Sequence, residues 1–214
     1  MTEEPKKADP TVFVVDDDPA LRDSLKFLIE SVGITVKVFA SAEEFLEAFD
    51  PKEHACVVLD VRMPGLSGLE LLEKLKSERL APTVLLITGH GDVPMAVRAL
   101  KAGAFDFIEK PFSDQVLLER IQQALTTDRK RREDLEYILE IESRLAHLTP
   151  REREVFEIVV SGTPNKVIAS RLDLSQKTVE VHRAHVMEKM RAPSLADLVK
   201  MAVAVGSTGA PASL

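Results

Sequence analysis

VVLDVRMPGLSG, residues Val57–Gly68, decides how the chain is read. An apolar run ends in one carboxylate, Asp60, a Met-Pro-Gly turn follows, and a new helix begins. A continuous apolar run without polar alternation suits a strand buried on both faces, as in parallel sheets covered by helices. An aspartate at the tip of such a strand is either a helix cap or part of a site. The other strand ends decide between the two.

Working outward, the front half alternates between strand and helix signals. Thr11–Val15 reads as a strand, and Asp18-Pro19 as N-cap and first residue of a helix running to about Ser31. Ile34–Phe39 is strand-like, and Ser41-Ala-Glu-Glu44 has the form of a capping box opening the next helix. Cys56–Leu59, Thr83–Thr88 and Phe105–Ile108 are the remaining strands. Gly68–Ser77, Val93–Ala102 and Ser113–Leu125 are the remaining helices. Five such units over residues 10–125 predict an α/β doubly wound, five-stranded parallel sheet. Ligands of these sheets bind beyond the carboxyl ends of the strands.

At those ends stand Asp16-Asp17-Asp18, Asp60, Thr88 (in LLITGHGD) and Lys110-Pro111. Helix capping explains Asp18 but not Asp16, Asp17, Asp60 and Lys110 together. Asp16, Asp17 and Asp60 repel one another at neutral pH. A hard divalent cation resolves that repulsion: Mg²⁺ takes oxygen ligands from one or two carboxylates plus waters and phosphate. Asp60 is then the acceptor of a phosphoryl group, forming an acyl phosphate. Lys110 supplies a positive point charge to a phosphoryl oxygen, and Thr88 a hydroxyl. A cis Lys-Pro bond would aim that ammonium inward.

Charge and pattern change behind residue 125. Residues 1–124 hold 14 Lys and Arg against 22 Asp and Glu, whereas residues 149–214 hold 9 against 7. An acidic front and a mildly basic back suggest different partners. Residues 126–147, TTDRKRREDLEYILEIESRLAH, read as a helical linker. Its Leu135, Ile138, Ile141, Leu145 and Leu148 recur with coiled-coil-like spacing over about two heptads. That stripe reads either as a dimer seam or as a helix packed on its own domain, and Arg129-Lys-Arg-Arg132 as a solvated face. Residues 148–206 form an all-α domain. Thr149-Pro-Arg-Glu152 is a capping box for a helix closed by Gly162, and Thr163-Pro164 starts the next. After a turn at Asp173-Leu174, Ser175 caps QKTVEVHRAHVMEKM. Two helices so joined form a helix-turn-helix pattern at about residues 165–184. Val167, Ile168, Leu172, Leu174, Val179, Val186 and Met190 supply its inner face. Lys177, Thr178, Val181, His182, Arg183 and Lys189 are the candidates for DNA contact. Ser194–Val205 is a last amphipathic helix, and residues 207–214 read as a disordered tail.

VFVVDDDPALRDSLKFLIESVG, CVVLDVRMPGLSGLELL, LLITGHGDVPMAVRALKAGAFDFIEKPF and LTPREREVFEIVVSGTPNKVIASRLDLSQKTVEVHRAHVMEKM together resemble a two-component response regulator of the FixJ type. Such a protein has a receiver domain, which implies a flavodoxin-like sheet, followed by a LuxR-type helix-turn-helix. The resemblance spans about residues 10–203. It implies that Asp60 is the phospho-acceptor and that Asp17, Asp60 and the carbonyl of Arg62 ligand Mg²⁺, with Asp16 acting through water. It further implies that Thr88 is the switch hydroxyl and Phe107, three residues before Lys110, the switch aromatic. Its partners would be a sensor histidine kinase, double-stranded DNA, RNA polymerase and, once phosphorylated, a second copy of itself. Phe107 lacks the hydroxyl of the Tyr found in some receivers, so any switching there works by ring packing. Glu180 and Ala184 stand where some members carry Lys, so a relative's operator preference does not transfer.

A phosphatase of the haloacid-dehalogenase type is the rival. Asp16 and Asp18 give its D-x-D, and Thr88 and Lys110 its later groups. However, Ala20 stands where Thr or Val is wanted, and Asp60 has no place in the scheme. The reading is therefore a regulator and not an enzyme. The single cysteine, Cys56, lies in an apolar run and reads as core. Together with MTEEPKKADP, which lacks the apolar stretch of a signal peptide, and with no apolar run of spanning length, it predicts a cytoplasmic protein without a membrane segment.

Overall fold

The computed structural model describes residues 10–76, 81–89 and 93–206. The expected tail, the first nine residues, Ser77 and the His90-Gly91-Asp92 of LLITGHGD lie outside the described residues. The chain forms two compact units, one ending at Arg132 and the other beginning at Glu133.

In the first unit β1 (Thr11–Val15), β2 (Thr35–Phe39), β3 (Ala55–Asp60), β4 (Thr83–Thr88) and β5 (Asp106–Glu109) form one sheet in the order β2-β1-β3-β4-β5. Every pairing is parallel. The order reverses between β1 and β3, so their carboxyl ends flank the crevice where such sheets bind ligands. The helices are α1 (Pro19–Glu30), α2 (Ala42–Ala48), α3 (Gly68–Leu75), α4 (Val93–Ala102) and α5 (Asp114–Ala146). Strand periodicity sorts the core into two layers. Phe13, Val15, Val57, Leu59 and Leu86 pack with Phe45 of α2, Leu71 and Leu72 of α3 and Ala99 of α4. Val12, Val14, Cys56, Val58, Leu85 and Ile87 face Leu25 and Ile29 of α1 and Leu117, Ile121 and Ala124 of α5. Cys56 is fully enclosed, and burial pushes its thiol pKa up, so it stays a small protonated core residue.

Local signals account for most helix starts. Asp18 accepts from the backbone N–H groups of Ala20 and Leu21, with Pro19 at the first position. Ser67 and Glu70 form a reciprocal capping box at α3, a pattern the sequence reading passed over. At α2 the box is incomplete: Ser41 accepts from Glu44 N, but the Glu44 carboxylate reaches one residue further back, to Ala40 N at 2.9 Å.

Two expectations for residues 113–147 need correction. There is no helix end at Leu125. The Thr126 and Thr127 hydroxyls bond back to the carbonyls of Gln122 and Gln123, and α5 runs on to Ala146. Nor is Arg129–Arg132 a solvated face throughout. Asp128 is fully buried. Its carboxylate accepts from Ala55 N at the start of β3 (3.2 Å), from Arg132 Nε (2.7 Å) and from Arg131. Arg132 also donates to the carbonyls of Pro51 and Lys52 at 3.0 and 3.1 Å, and His54 Nε2 bonds the Leu125 carbonyl at 2.9 Å.

The second unit takes Ile141 and Leu145 of α5 into a core with α6 (Pro150–Val160), α7 (Asn165–Leu172), α8 (Gln176–Met190) and α9 (Leu195–Ala204). The apolar stripe of residues 135–148 thus serves its own domain at its C-terminal half, while Leu135 and Ile138 stay half-buried. Of the expected inner face, Ile168, Val179, Val186 and Met190 are buried and Leu172 and Leu174 partly so. Val167 is not: it is 41% exposed, on the outer side of α7. α7 begins at Asn165 with Pro164 at the N-cap. Thr163 does not cap it, because its hydroxyl pairs with that of Ser161. No helix among the described residues is long and apolar enough to cross a membrane.

Replacing Asp128 by Ala strips a buried carboxylate from two guanidinium groups and the first amide of β3. Removing one partner of a buried ion pair costs about 3–5 kcal/mol. Arg131 stays partly exposed to water, so the low end of that range is expected. Urea denaturation of the full chain checks it, and an unchanged midpoint would refute the anchoring role.

Candidate functional site

The strand order brings the predicted acids together. Asp16 directly follows β1 and is 1% exposed, and Asp60 ends β3 and is 6% exposed. Lys110, just past β5, places its Nζ 2.9 Å from Asp16 Oδ2 and 2.7 Å from Asp60 Oδ1. Its own backbone N–H donates to Thr88 O at 2.7 Å, which ties the end of β5 to that of β4, and the Lys110–Pro111 bond is cis. The remaining oxygens are also held. Asp16 Oδ1 accepts from Asp18 N at 2.9 Å, and Asp60 Oδ2 from Arg62 N at 2.7 Å. Arg22 of α1, which the sequence reading did not single out, donates through Nη1 to the Asp16 carbonyl at 2.6 Å. Asp17 is exposed beside this cluster, and Thr88 is buried at the tip of β4. Phe107 is half-buried against the core layer of Leu86 and Ala99.

Electrostatically the site is short of positive charge. Burial raises the pKa of Asp16, and the Lys110 hydrogen bond only partly opposes it. Burial also works against the Lys110 ammonium, but its bonds to Asp60 and Asp16 outweigh that and hold its pKa above the ordinary value. Lys110 and Arg22 bring two positive charges against the three carboxylates of Asp16, Asp17 and Asp60, so the site keeps a negative excess that a divalent cation would offset. All the donors are hard oxygens. Among the described residues no three carboxylate, imidazole or thiol groups enclose a metal by themselves.

In the second unit the turn between α7 and α8 uses Asp173 in the left-handed conformation (φ 52°), and Ser175 caps α8. Lys177, Glu180, Val181, Ala184 and His185 are exposed along one side of α8. Thr178 is half-buried, with its hydroxyl 2.7 Å from that of Ser175. His182 is half-buried, and its Nδ1 finds no hydrogen-bond partner among the described residues. Two of the DNA-contact candidates are engaged elsewhere. Arg183 Nη1 bonds Asn165 Oδ1 at 2.5 Å, bracing α8 against the start of α7. Lys189 Nζ bonds Glu152 Oε2 at 2.6 Å and the His147 carbonyl at 3.3 Å. Glu152 is buried at the N-terminus of α6, where it also accepts from Thr149 N.

Known proteins carry the same two parts. The family described as "Response regulator receiver domain" matches residues 12–122, and "Bacterial regulatory proteins, luxR family" matches residues 146–202. The transcriptional regulatory protein FixJ of Bradyrhizobium diazoefficiens is 47% identical over 91% of this chain and 95% of its own length. That of Rhizobium meliloti is 49% identical over 92% and 97%. The chain belongs to the FixJ type of response regulator. Among solved structures, the response regulator StyR matches with TM-score 0.80 and 45% identity over 92% of this chain and 99% of that one. Full-length FixJ from B. japonicum matches with TM-score 0.56 and 46% identity over 92% and 97%. The sheet and its helices are a receiver fold, and the C-terminal helices are a LuxR-type domain. The regulator is a DNA-binding transcription factor controlled through its receiver. A receiver implies a sensor-kinase partner, and receiver domains generally bind Mg²⁺ at the phosphorylation site.

The Lys189 hydrogen bond, then the Thr149 N–H, hold the Glu152 pKa down to about 2 from an ordinary 4.5. A depressed carboxylate stabilises the fold fully above its unfolded value and loses that contribution as pH falls through the folded one. The helix-turn-helix unit is therefore expected to weaken between about pH 4.5 and 2, as followed by amide exchange in α6. Glu152→Gln should flatten that part of the profile; parallel profiles for both proteins would refute the assignment.

Proposed function

We propose that Asp60 is the phospho-acceptor of this response regulator. What carries the reading is the Lys110 ammonium held between Asp60 and Asp16 at the switch point of the sheet. Asp17, Asp60 and the Arg62 carbonyl are the residues that would hold Mg²⁺, with Asp16 acting through water. When bound, the ion neutralises charge on the phosphoryl oxygens. An Asp60 carboxylate oxygen attacks the phosphorus of the kinase phosphohistidine. The P–N bond breaks with its electron pair going to the imidazole, and an acyl phosphate forms on Asp60. Lys110 leaves its carboxylate partners for a phosphoryl oxygen, Thr88 donates its hydroxyl to another, and the ring of Phe107 repacks. The protein is an acceptor and not a turnover enzyme, and it works in the cytoplasm.

The output follows from the same surface. Val93, Val97 and Leu100 of α4 are exposed at helical spacing, which supports a phosphorylation-dependent homodimer through α4, β5 and α5. The dimer presents two copies of α8 to double-stranded DNA and in turn recruits RNA polymerase. Lys177 and Thr178, in the first turn of α8, meet phosphates, and Val181 and His182 lie further along for the base edges. Arg183 and Lys189 are structural braces and drop out of the DNA-contact set.

Acetyl phosphate with Mg²⁺ should add at most one base-labile phosphoryl group per chain. Asp60→Asn should take up none; equal labelling of that variant removes the assignment. Steady turnover of p-nitrophenyl phosphate would instead favour a phosphatase. For DNA, salt titrations on a duplex selected from a random pool and on an unselected one separate the roles. Each neutralised phosphate contributes about −0.9 to the slope of log affinity against log salt. Lys177→Ala should weaken both duplexes alike and reduce the slope by about 1. Arg183→Ala should also weaken both alike, through α8; a loss of ~1–3 kcal/mol confined to the selected duplex would return it to base reading.

A further inference from the structure

We infer that Glu43, on α2, is a positioning residue for the cation side of the phosphorylation site: it holds the loop after β3 so that Arg62 keeps its place. The inference rests on the reading of Asp17, Asp60 and the Arg62 carbonyl as Mg²⁺ ligands. Residues 61–67 form that loop. Near Asp60 it is fixed by Val61 N to Ile87 O (3.0 Å) and by Arg62 N to Asp60 Oδ2 (2.7 Å). At its far end Gly68 N bonds Val61 O at 3.1 Å, and the Ser67–Glu70 box starts α3. Gly68 admits no side chain, since a Cβ there would stand 2.1 Å from the Asp60 carbonyl oxygen. The loop tip is held from outside. Glu43 Oε1 accepts from Leu66 N at 3.0 Å, across 23 residues of chain.

The neighbouring geometry is shaped around the same oxygen. Gly65 has φ +78°, and a Cβ on it would lie 2.9 Å from Glu43 Oε1. The glycine thus provides the left-handed turn and also the room for the carboxylate. Its own backbone N–H, then that of Leu66, hold the Glu43 carboxyl pKa below the ordinary value. A charged acceptor makes the stronger kind of hydrogen bond. Only three residues lie between Arg62 and Leu66, so a loop tip released at Leu66 moves the carbonyl that completes the oxygen set.

Calorimetric Mg²⁺ titration of the unphosphorylated full chain tests this, with amide exchange at Leu66 and thermal midpoints read alongside. Loss of a supporting contact around a metal typically costs 10–100-fold in affinity, and for this exposed one about 5–10-fold is expected in Glu43→Ala. Glu43→Gln keeps an oxygen acceptor for Leu66 N and should stay within about 2-fold of the parent, which a role through charge alone would not allow. Gly65→Ala disturbs the contact from the other side and should also weaken Mg²⁺, which covers the case of Glu43→Ala failing to fold. If Glu43→Ala frees the Leu66 amide while Mg²⁺ binds unchanged, or if Glu43→Gln is as impaired as Glu43→Ala, the positioning role is overturned. If the parent protein takes no Mg²⁺, or Asp17→Ala takes it equally well, the ligand assignment fails instead.

Discussion

The ammonium of Lys110, shared between Asp16 and Asp60, is the interaction on which the site depends. Two buried carboxylates facing each other across adjacent strands would push the ends of β1 and β3 apart or take up a proton. One cation between them lets both strands end at the same crevice. The bridge also fastens the end of β5, two strands away from β3, to the carboxylates behind β1 and β3. Through Lys110 the ends of four strands are joined: β1 by Asp16, β3 by Asp60, and β4 by the Thr88 carbonyl that holds the Lys110 backbone just past β5.

Much of this was legible in the sequence, for a definite reason. A strand buried on both faces permits no polar residue along its length, so Asp60 and the Asp16-Asp17 pair stand out against VVLD and VFVVDD. Period and punctuation sufficed for the α/β class, for the positions of the five strands to within a residue or two and for the helix-turn-helix. The receiver-plus-LuxR resemblance, carried by contiguous motifs, agrees with the family matches.

What stayed hidden shares one property: it depends on pairs distant in sequence. Glu152 and Lys189, Asn165 and Arg183, and Asp128 with Ala55 lie 37, 18 and 73 residues apart. Nothing in the local pattern marks them. Lys189 and Arg183 looked free for DNA because a basic residue on a recognition helix carries no sign of an acidic or amide partner on another helix. Val167 shows the opposite error: α7 is eight residues long, too short for apolar spacing to separate its inner from its outer side. The Ser67–Glu70 box was written plainly in the sequence and was simply overshadowed by the Asp60 signal next to it.

The buried carboxylate of Asp128 has a consequence for how such proteins are assembled from parts. β3 is gripped at both tips, at its last residue by Lys110 and at its first by a helix residue that follows the final core apolar position, Leu125. The structural debt of the receiver therefore extends into a stretch that looks, by composition, like a charged connector. Any exchange that couples this input domain to a different output has to cut after Arg132. A junction at Leu125 leaves the opening amide of β3 without its acceptor.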